Sequence, residues 1–448
     1  MLVVNEDAKS SNYIQDVNEF ESILLKSGIA YTAAAPFLVV GEIPLNPSRF
    51  IYVSVFSEDA RAMLQAICPL LKAYNTPFKV LENVMLVDQC NGLLFGVNNA
   101  GKILTFYPPD EATVKSLASE IEKVTKQFRG LIIDDCTRIG QLLYYPDACK
   151  KISFSIPDTC KVKRAPKIVS KYYIPLKILR KNPKGDVLLG LNLKKLSLTK
   201  CLIKQARANS YTDPAGRKAT HRLLWQREVI EKLQDKIPTA SIIDSCYQGE
   251  DLYLITEFIE GMSLGEKVQS IYQYKTWSQL TTAEKTLLLD YALQIAIIIN
   301  IIHSHGYVHR DVQINNFIVA PDGRIYIIDF ELAYNYIERV PSPAFLLGTA
   351  GFVSPEQEKG EIPKTTEDIF SLGAVITYMI LNPRSRPEFS DDIYNRLIHA
   401  GTDDPLLSLI ASCLSEAPNE RPSAGDVIVK IQQLISQLQA SILCSITR

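Results

Sequence analysis

Apolar residues recur at three- and four-residue steps over residues 60–74 and 112–128, which predicts two amphipathic helices. Pro108-Pro109-Asp110 stands just before the second, where proline suits a first turn and aspartate can cap it. Short runs rich in β-branched and aromatic residues, 50–55 and 103–107, read as strands. The first 155 residues therefore have an α+β pattern. A basic stretch with a proline, Lys161-Val162-Lys163-Arg164-Ala165-Pro166-Lys167, marks a linker over 156–170. Beyond it the order changes. Strands are expected at 172–179, 186–191 and 200–204, a helix at 217–233, and further strands at 241–244 and 252–258. After Gly261 the pattern is helical apart from a hairpin near 308–328. The greasiest segment, 287–302, is interrupted by Asp290, Gln294 and Asn300 and is short for a bilayer span, so it is expected to be a buried helix.

Composition narrows the class. With 448 residues, 47% hydrophobic and 22% charged, the chain is expected to fold as two or three soluble units. A formal charge of −1 gives no global basic field for nucleic acid or an anionic membrane, and neither is expected as a partner. Nine scattered cysteines without a Cys-x-x-Cys pair fit reduced thiols, and the first residues lack a secretory layout. A cytoplasmic location is the expectation.

The chemistry is concentrated in His309-Arg310-Asp311-Val312-Gln313-Ile314-Asn315-Asn316, followed by Ile327-Ile328-Asp329-Phe330-Glu331. In order and spacing this reads as a kinase catalytic loop with its metal-binding aspartate. Phosphoryl transfer needs positioned charge more than covalent chemistry. Asp311 would orient the incoming hydroxyl, while Asn316 and Asp329 would hold Mg²⁺. Lys204 ends a strand and would orient the phosphates of ATP, with Glu228 as its ion-pair partner. Thr256 would lie at the back of the adenine pocket, in the cleft between two lobes. Glu257 and Ile259 belong to the hinge segment that ends at Gly261 and would offer backbone groups to the base. Another nucleoside triphosphate stays open.

Gly348-Thr349-Ala350-Gly351-Phe352-Val353-Ser354-Pro355-Glu356 resembles the end of an activation segment, with Glu356 expected to pair with Arg421 and Asp368 to brace the catalytic loop. The expected kinase lobes are 171–260 and 261–440. Two departures stand out. The phosphate-covering loop, Lys181-Asn182-Pro183-Lys184-Gly185-Asp186-Val187, has one glycine, Gly185, so lysines are expected to supply more of the charge. Glu331 replaces the glycine expected after Asp329-Phe330, so Asp329 is expected to hold its metal-binding position without phosphorylation of the activation segment.

The run Leu202-Ile203-Lys204-Gln205-Ala206-Arg207, then Asp213-Pro214-Ala215-Gly216 and Arg222-Leu223, resembles the kinase domain of class III and class IV lanthipeptide synthetases. Phe78-Lys79-Val80 and Gly101-Lys102-Ile103-Leu104-Thr105-Phe106-Tyr107-Pro108 resemble the lyase domain of the same enzymes, itself similar to phosphothreonine lyases. The resemblance implies phosphorylation of serine and threonine in a precursor peptide that carries a leader, then phosphate elimination with Lys79 as base and Lys102 and Tyr107 nearby. It implies an α+β lyase-like domain over 1–155 followed by a bilobal kinase. The family's lysine-x-histidine falls on Phe50-Ile51-Tyr52, no histidine precedes His221, and Tyr144-Tyr145-Pro146-Asp147 stands where an arginine is expected. A weakened or inactive lyase domain that binds and orients peptide is the favoured expectation, and a variant lyase using Lys79 and Tyr52 stays open. After Arg421 only a closing helix at 424–438 and a short tail are expected, so ring closure would fall to a separate protein or proceed without an enzyme, and a separate lyase is also open. Two other readings remain: a regulatory bacterial serine/threonine kinase, and a non-enzymatic scaffold that binds a leader peptide and a partner lyase.

Overall fold

The computed structural model describes residues 19–92, 95–133, 136–149, 152, 154, 168–194, 198–208, 210, 213, 215–346, 348–381 and 393–446. The stretch 161–167, read as a linker, lies outside them, as do Pro214 and the first residues of the chain. The fold is mixed α+β, as expected. The chain divides into two compact units, one of residues 1–199, 203–221 and 245–253, the other of 200–202, 222–244 and 254–448.

The N-terminal residues build α1 (Glu19–Lys26), β1 (Thr32–Ala34), β2 (Phe37–Val40), β3 (Ile51–Val53), α2 (Ser57–Ala73), β4 (Phe78–Leu81), α3 (Val84–Asn91), β5 (Leu104–Phe106), α4 (Glu111–Thr125), β6 (Cys136–Arg138) and β7 (Leu143–Pro146). The strands form one antiparallel sheet in the order β1-β2-β4-β5-β3-β7-β6. Both predicted helices form. Asp110 caps α4 as expected, its carboxylate accepting from the Thr113 N–H at 2.8 Å. Alternation along the strands sends Ile51, Val53, Phe78, Val80, Leu104 and Phe106 into the core with Met63, Leu64, Ile67, Val114, Leu117 and Ile121 of α2 and α4. Each such side chain contributes about 1.5–3 kcal/mol on burial.

Next come β8 (Tyr173–Arg180), β9 (Val187–Asn192), β10 (Thr199–Ala206), α5 (Ala219–Leu233), β11 (Ile242–Gln248) and β12 (Asp251–Glu257), with sheet order β11-β12-β10-β9-β8. The remainder comprises β13 (Met262–Ser263), α6 (Leu264–Tyr272), α7 (Thr282–Ser304), β14 (Tyr307–Val308), β15 (Phe317–Val319), β16 (Ile325–Ile327), β17 (Tyr334–Asn335), α8 (Pro355–Glu358), α9 (Thr365–Leu381), α10 (Ile393–His399), α11 (Asp404–Cys413) and α12 (Ala424–Ile446). Capping boxes start α6 (Ser263 with Glu266) and α7 (Thr281 with Glu284). Helix α7 has the length and apolarity to cross a membrane, yet it packs against α12 and buries Leu288, Ala292, Ile295, Ile299 and Ile302, as a core helix does. None of the described cysteines is in a disulfide.

Candidate active site

Three features place the functional side chains. The first is a rung across the N-terminal sheet. Register sets Val39 opposite Lys79, Lys79 opposite Thr105, Thr105 opposite Tyr52, Tyr52 opposite Tyr144, and Tyr144 opposite Arg138. Residues on one rung share a face, here the one turned from α2 and α4. Sequence reasoning had named Lys79, Tyr52, Lys102 and Tyr107; the sheet sets Lys79 two strands from Tyr52, with Thr105 between them, and gathers Lys102 and Tyr107 around Tyr52. The Lys79 ammonium lies 4.5 Å from the Phe37 ring centroid and that of Lys102 lies 4.7 Å from the Tyr52 ring. Phe50 joins Tyr52 and Tyr107, with centroids 5.3 and 6.1 Å away.

Burial lowers the Lys79 pKa from that of an ordinary lysine. Burial pushes Tyr52 up to about 12, with Cys136, Tyr107 and Cys149 adding to it. The rung thus pairs an amine that deprotonates more easily with a phenol that keeps its proton. Arg138 lies directly across from Tyr144, its guanidinium 6.0 Å from that ring's centroid, a neighbour the linear sequence did not indicate. Its guanidinium is already committed to the Gly140 and Gln141 carbonyls at 3.2 and 2.7 Å.

The second feature is the strand that carries Lys204 and the loop beside it. Lys204 is half-buried near the end of β10. Gly185 has φ +150°, and a Cβ there would overlap the Gln205 carbonyl, so close backbone approach requires glycine. Glu228 lies on α5 with an exposed side chain, near enough to Tyr307 to add to the burial that raises that phenol's pKa. Thr256 is buried at the end of β12, its hydroxyl 3.3 Å from the Glu257 carbonyl. The Glu257 N–H donates to Ser241 O at 2.9 Å, and Ile259 is half-buried beyond it.

The third is the catalytic loop. Asn316 Nδ2 donates to Asp311 Oδ2 and to the Asp311 carbonyl, both at 2.8 Å, and Thr349 Oγ1 donates to Asp311 Oδ1 at 2.8 Å. Burial and then the charge of Asp329 raise the Asp311 pKa. Asp329 holds a left-handed φ of +69°, while Phe330 beside it is fully buried, edge-on to His309 at 4.9 Å. The positive φ falls on Asp329 and not on position 331, which is why Glu331 fits where a glycine was expected. The amide oxygen of Asn316 and the Asp329 carboxylate are hard oxygen donors of the kind Mg²⁺ takes alongside phosphate oxygens. Among the described residues no larger cluster of His, Cys, Asp or Glu suits a metal ion.

Asp368 braces this loop from α9, as expected. It accepts from the His309 and Arg310 N–H groups at 2.8 Å each and meets His303 Nε2 at 2.9 Å. Burial alone would raise its carboxyl, but the His303 contact and the neighbouring charges carry it below the usual range. Gln313 turns inward, accepting from the Asn315 N–H at 3.0 Å to cap the short turn of the loop.

The Arg310 side chain is buried. Its Nε meets Glu367 at 2.9 Å, and its Nη1 donates to the Phe345 carbonyl of the activation segment at 2.7 Å. Phosphorylated kinases order that segment by pairing arginine with a phosphate. Here the buried Glu367 carboxyl already occupies that arginine, its pKa pushed up to about 7 by burial against the pull of Arg310. Phosphatase treatment is therefore expected to leave activity unchanged; a loss restored by phosphorylation of the exposed Ser342 would contradict this.

Sequence reasoning found the acids and the amide because their spacing is local. It missed Thr349, Arg310 with Glu367, and Arg138, whose partners come from distant segments. The adjacency of Gly348 and Thr349 to an expected activation segment was the available signal for Thr349.

Residues 203–431 match the protein kinase domain, more than half of the chain. The chain belongs to the protein kinase family. Residues 50–145, which contain Lys79, Thr105, Tyr52, Tyr144 and Arg138 of the rung, match the family described as RamC, N-terminal domain, and the two domains together are consistent with a class III lanthipeptide synthetase. Among relatives, serine/threonine-protein kinase F of Synechocystis is 25% identical over 325 residues, 66% of this chain and 62% of that protein. The probable serine/threonine-protein kinase kinX of Dictyostelium discoideum is 28% identical over 200 residues, 43% of this chain and 18% of that one. PknA of Mycobacterium tuberculosis, a serine/threonine-protein kinase, is 32% identical over 130 residues, 29% of this chain and 28% of that one. The chain spans less than two thirds of the length of each.

Proposed function

We propose that this protein transfers the terminal phosphoryl group of ATP, with Mg²⁺, to serine and threonine of a ribosomal precursor peptide in a lanthipeptide-type pathway. The observation that carries the kinase half is Asp311 held by Asn316 and Thr349 with the Asp329 carboxylate adjacent. Asp311 accepts the hydroxyl proton as it attacks, Lys204 and Glu228 set the phosphates, and Asn316 and Asp329 hold the metal. Thr256, Glu257 and Ile259 line the adenine side. Bound Mg²⁺ supplies charge neutralisation of the phosphates. The peptide half rests on the match to the RamC N-terminal domain. The working domain boundaries are 1–155 for the lyase-like part, 156–170 for the linker, 171–260 and 261–440 for the kinase lobes, in a cytoplasmic protein.

The rung favours a second activity of the same pathway, elimination of the phosphate. Lys79 removes the Cα proton and Tyr52 returns a proton to the leaving phosphate. Lys79→Ala is then expected to leave phosphorylated peptide undehydrated. The elimination rate should climb with pH through the lowered Lys79 pKa and stay high until Tyr52 ionises near about 12. Mass spectrometry of the candidate peptide after Mg²⁺-ATP decides between the readings: a gain of about 80 Da per site means phosphorylation alone, a loss of about 18 Da means elimination follows. An unmodified peptide would refute the peptide-kinase reading. If dehydration in Lys79→Ala matches wild type, Lys79 is not the base.

A further inference from the structure

The loop over 181–187 was expected to cover the phosphates with its lysines supplying much of the charge, because a single glycine lets few backbone amides approach. Its amides point elsewhere. Asn182 N–H donates to Asp186 Oδ1 at 3.3 Å, Lys184 N–H to Asn182 Oδ1 at 2.9 Å, Gly185 N–H to Asn182 O at 2.9 Å, and Asp186 N–H to Gln205 Oε1 at 3.3 Å. Pro183 has no N–H to offer. Each amide of the turn is therefore satisfied inside it or by the neighbouring strand, and a phosphate could claim one only by breaking a bond already made.

Arg207, three residues beyond Lys204, closes the arrangement from the other side. Its Nη1 donates to Asn182 O and Pro183 O at 2.7 and 3.2 Å, and its Nη2 meets Asp186 Oδ2 at 2.8 Å. The backbone is stitched as well, with Gln205 N–H donating to Asp186 O at 2.9 Å and Arg207 N–H to Lys184 O at 2.7 Å. Gln205 is itself anchored, its Nε2 donating to Asp251 Oδ2 at 2.8 Å and Tyr253 Oη at 3.2 Å. Gly185 gives the room this needs, since any Cβ there would strike the Gln205 carbonyl.

We propose that Arg207 is a positioning residue that converts the loop into a fixed strut beside the Lys204 strand, so that Lys204 meets the nucleotide in a geometry set before binding. The planar fork of arginine suits this job because it serves two carbonyls and a carboxylate at once. A lysine would serve as a single point charge. The site then binds nucleotide without ordering the loop first, a cost that would otherwise be drawn from affinity. This rests on the reading of Lys204 as the ATP lysine.

The test uses the full chain, steady-state turnover of Mg²⁺-ATP, and amide hydrogen exchange. Arg207→Ala is expected to raise the KM for ATP about tenfold with kcat within about twofold, the pattern of lost binding geometry rather than lost chemistry. Exchange should quicken at residues 184–187 and 205–207 and stay unchanged over 307–331. Arg207→Lys should recover part of the KM. Should Arg207→Ala fail to fold, Asp186→Asn removes the ion pair alone and is expected to raise KM about threefold. A wild-type KM in the folded variants overturns the proposal, and so does a fall in melting temperature with kinetics untouched. Lys204→Ala separates the two layers. If it turns over ATP like wild type, the nucleotide reading itself fails; if it is silent while Arg207→Ala matches wild type, only the strut fails.

Discussion

Asp311→Asn stops phosphoryl transfer while the protein still binds Mg²⁺-ATP. The asparagine keeps the size of the side chain and one acceptor, so Asn316 can still donate to it and the loop should hold its shape. It cannot take the hydroxyl proton, and it no longer offers the charge that burial and Asp329 have tuned upward. Losing a positioned acid–base group costs about 10²–10⁴-fold in rate. Transfer to peptide in a single-turnover assay, beside nucleotide binding by calorimetry, reads the two effects separately. Retention of more than about a tenth of the wild-type rate would remove Asp311 from its role.

Arg421→Ala should unfold the larger helical part of the protein more than any surface change. Arg421 and Glu356 form a two-pronged pair, Nη1 to Oε1 at 2.5 Å and Nη2 to Oε2 at 3.0 Å, with both side chains nearly inaccessible. The guanidinium also serves the Ser415 and Thr366 carbonyls and lies 5.0 Å from the Phe370 ring centroid. Burial by itself would raise the Glu356 carboxyl, but Arg421 carries it below its ordinary value. Truncation strands a buried carboxylate, which costs about 3–5 kcal/mol.

A depressed carboxyl stabilises the fold above its unfolded pKa, and that contribution is lost as pH falls through the folded value. Wild type should therefore lose more stability in acid than Arg421→Ala does. Urea denaturation at pH 7 and pH 4 measures both. Replacing both partners by apolar residues should recover part of the loss, since no charge is then left unpaired. If Arg421→Ala proves as stable as wild type, the pair does not hold this region together.

These two residues also show how unevenly the molecule could be read from its sequence. Asp311, Asn316 and Asp329 fall in one short stretch, where the roles are set by order and spacing, and Arg421 could be matched to Glu356 because both sit in recognisable local contexts. Lys79 was legible from its neighbours Phe78 and Val80. Its surroundings were not, because Tyr52, Thr105, Tyr144 and Arg138 arrive from four other strands, and strand order is decided by which edges find partners. Glu228 could be placed on α5 from helical periodicity, but its exposure could not, since that depends on what packs around the helix. Gly185 was read as a phosphate-loop glycine, and only the structure shows its α-carbon pressed on the Gln205 carbonyl.

The sequence by itself determined the helices α2 and α4, the cap at Asp110, the buried helix α7 and the acids of the catalytic loop, because hydrophobic period and motif spacing are properties of neighbouring residues. Tertiary structure alone decided the partners: Thr349 on Asp311, Glu367 on Arg310, Arg207 on the loop it clamps, and the ring-lined face around Lys79. Such pairings join residues tens of positions apart in the chain. They depend on how strands order and helices settle, which no local pattern encodes.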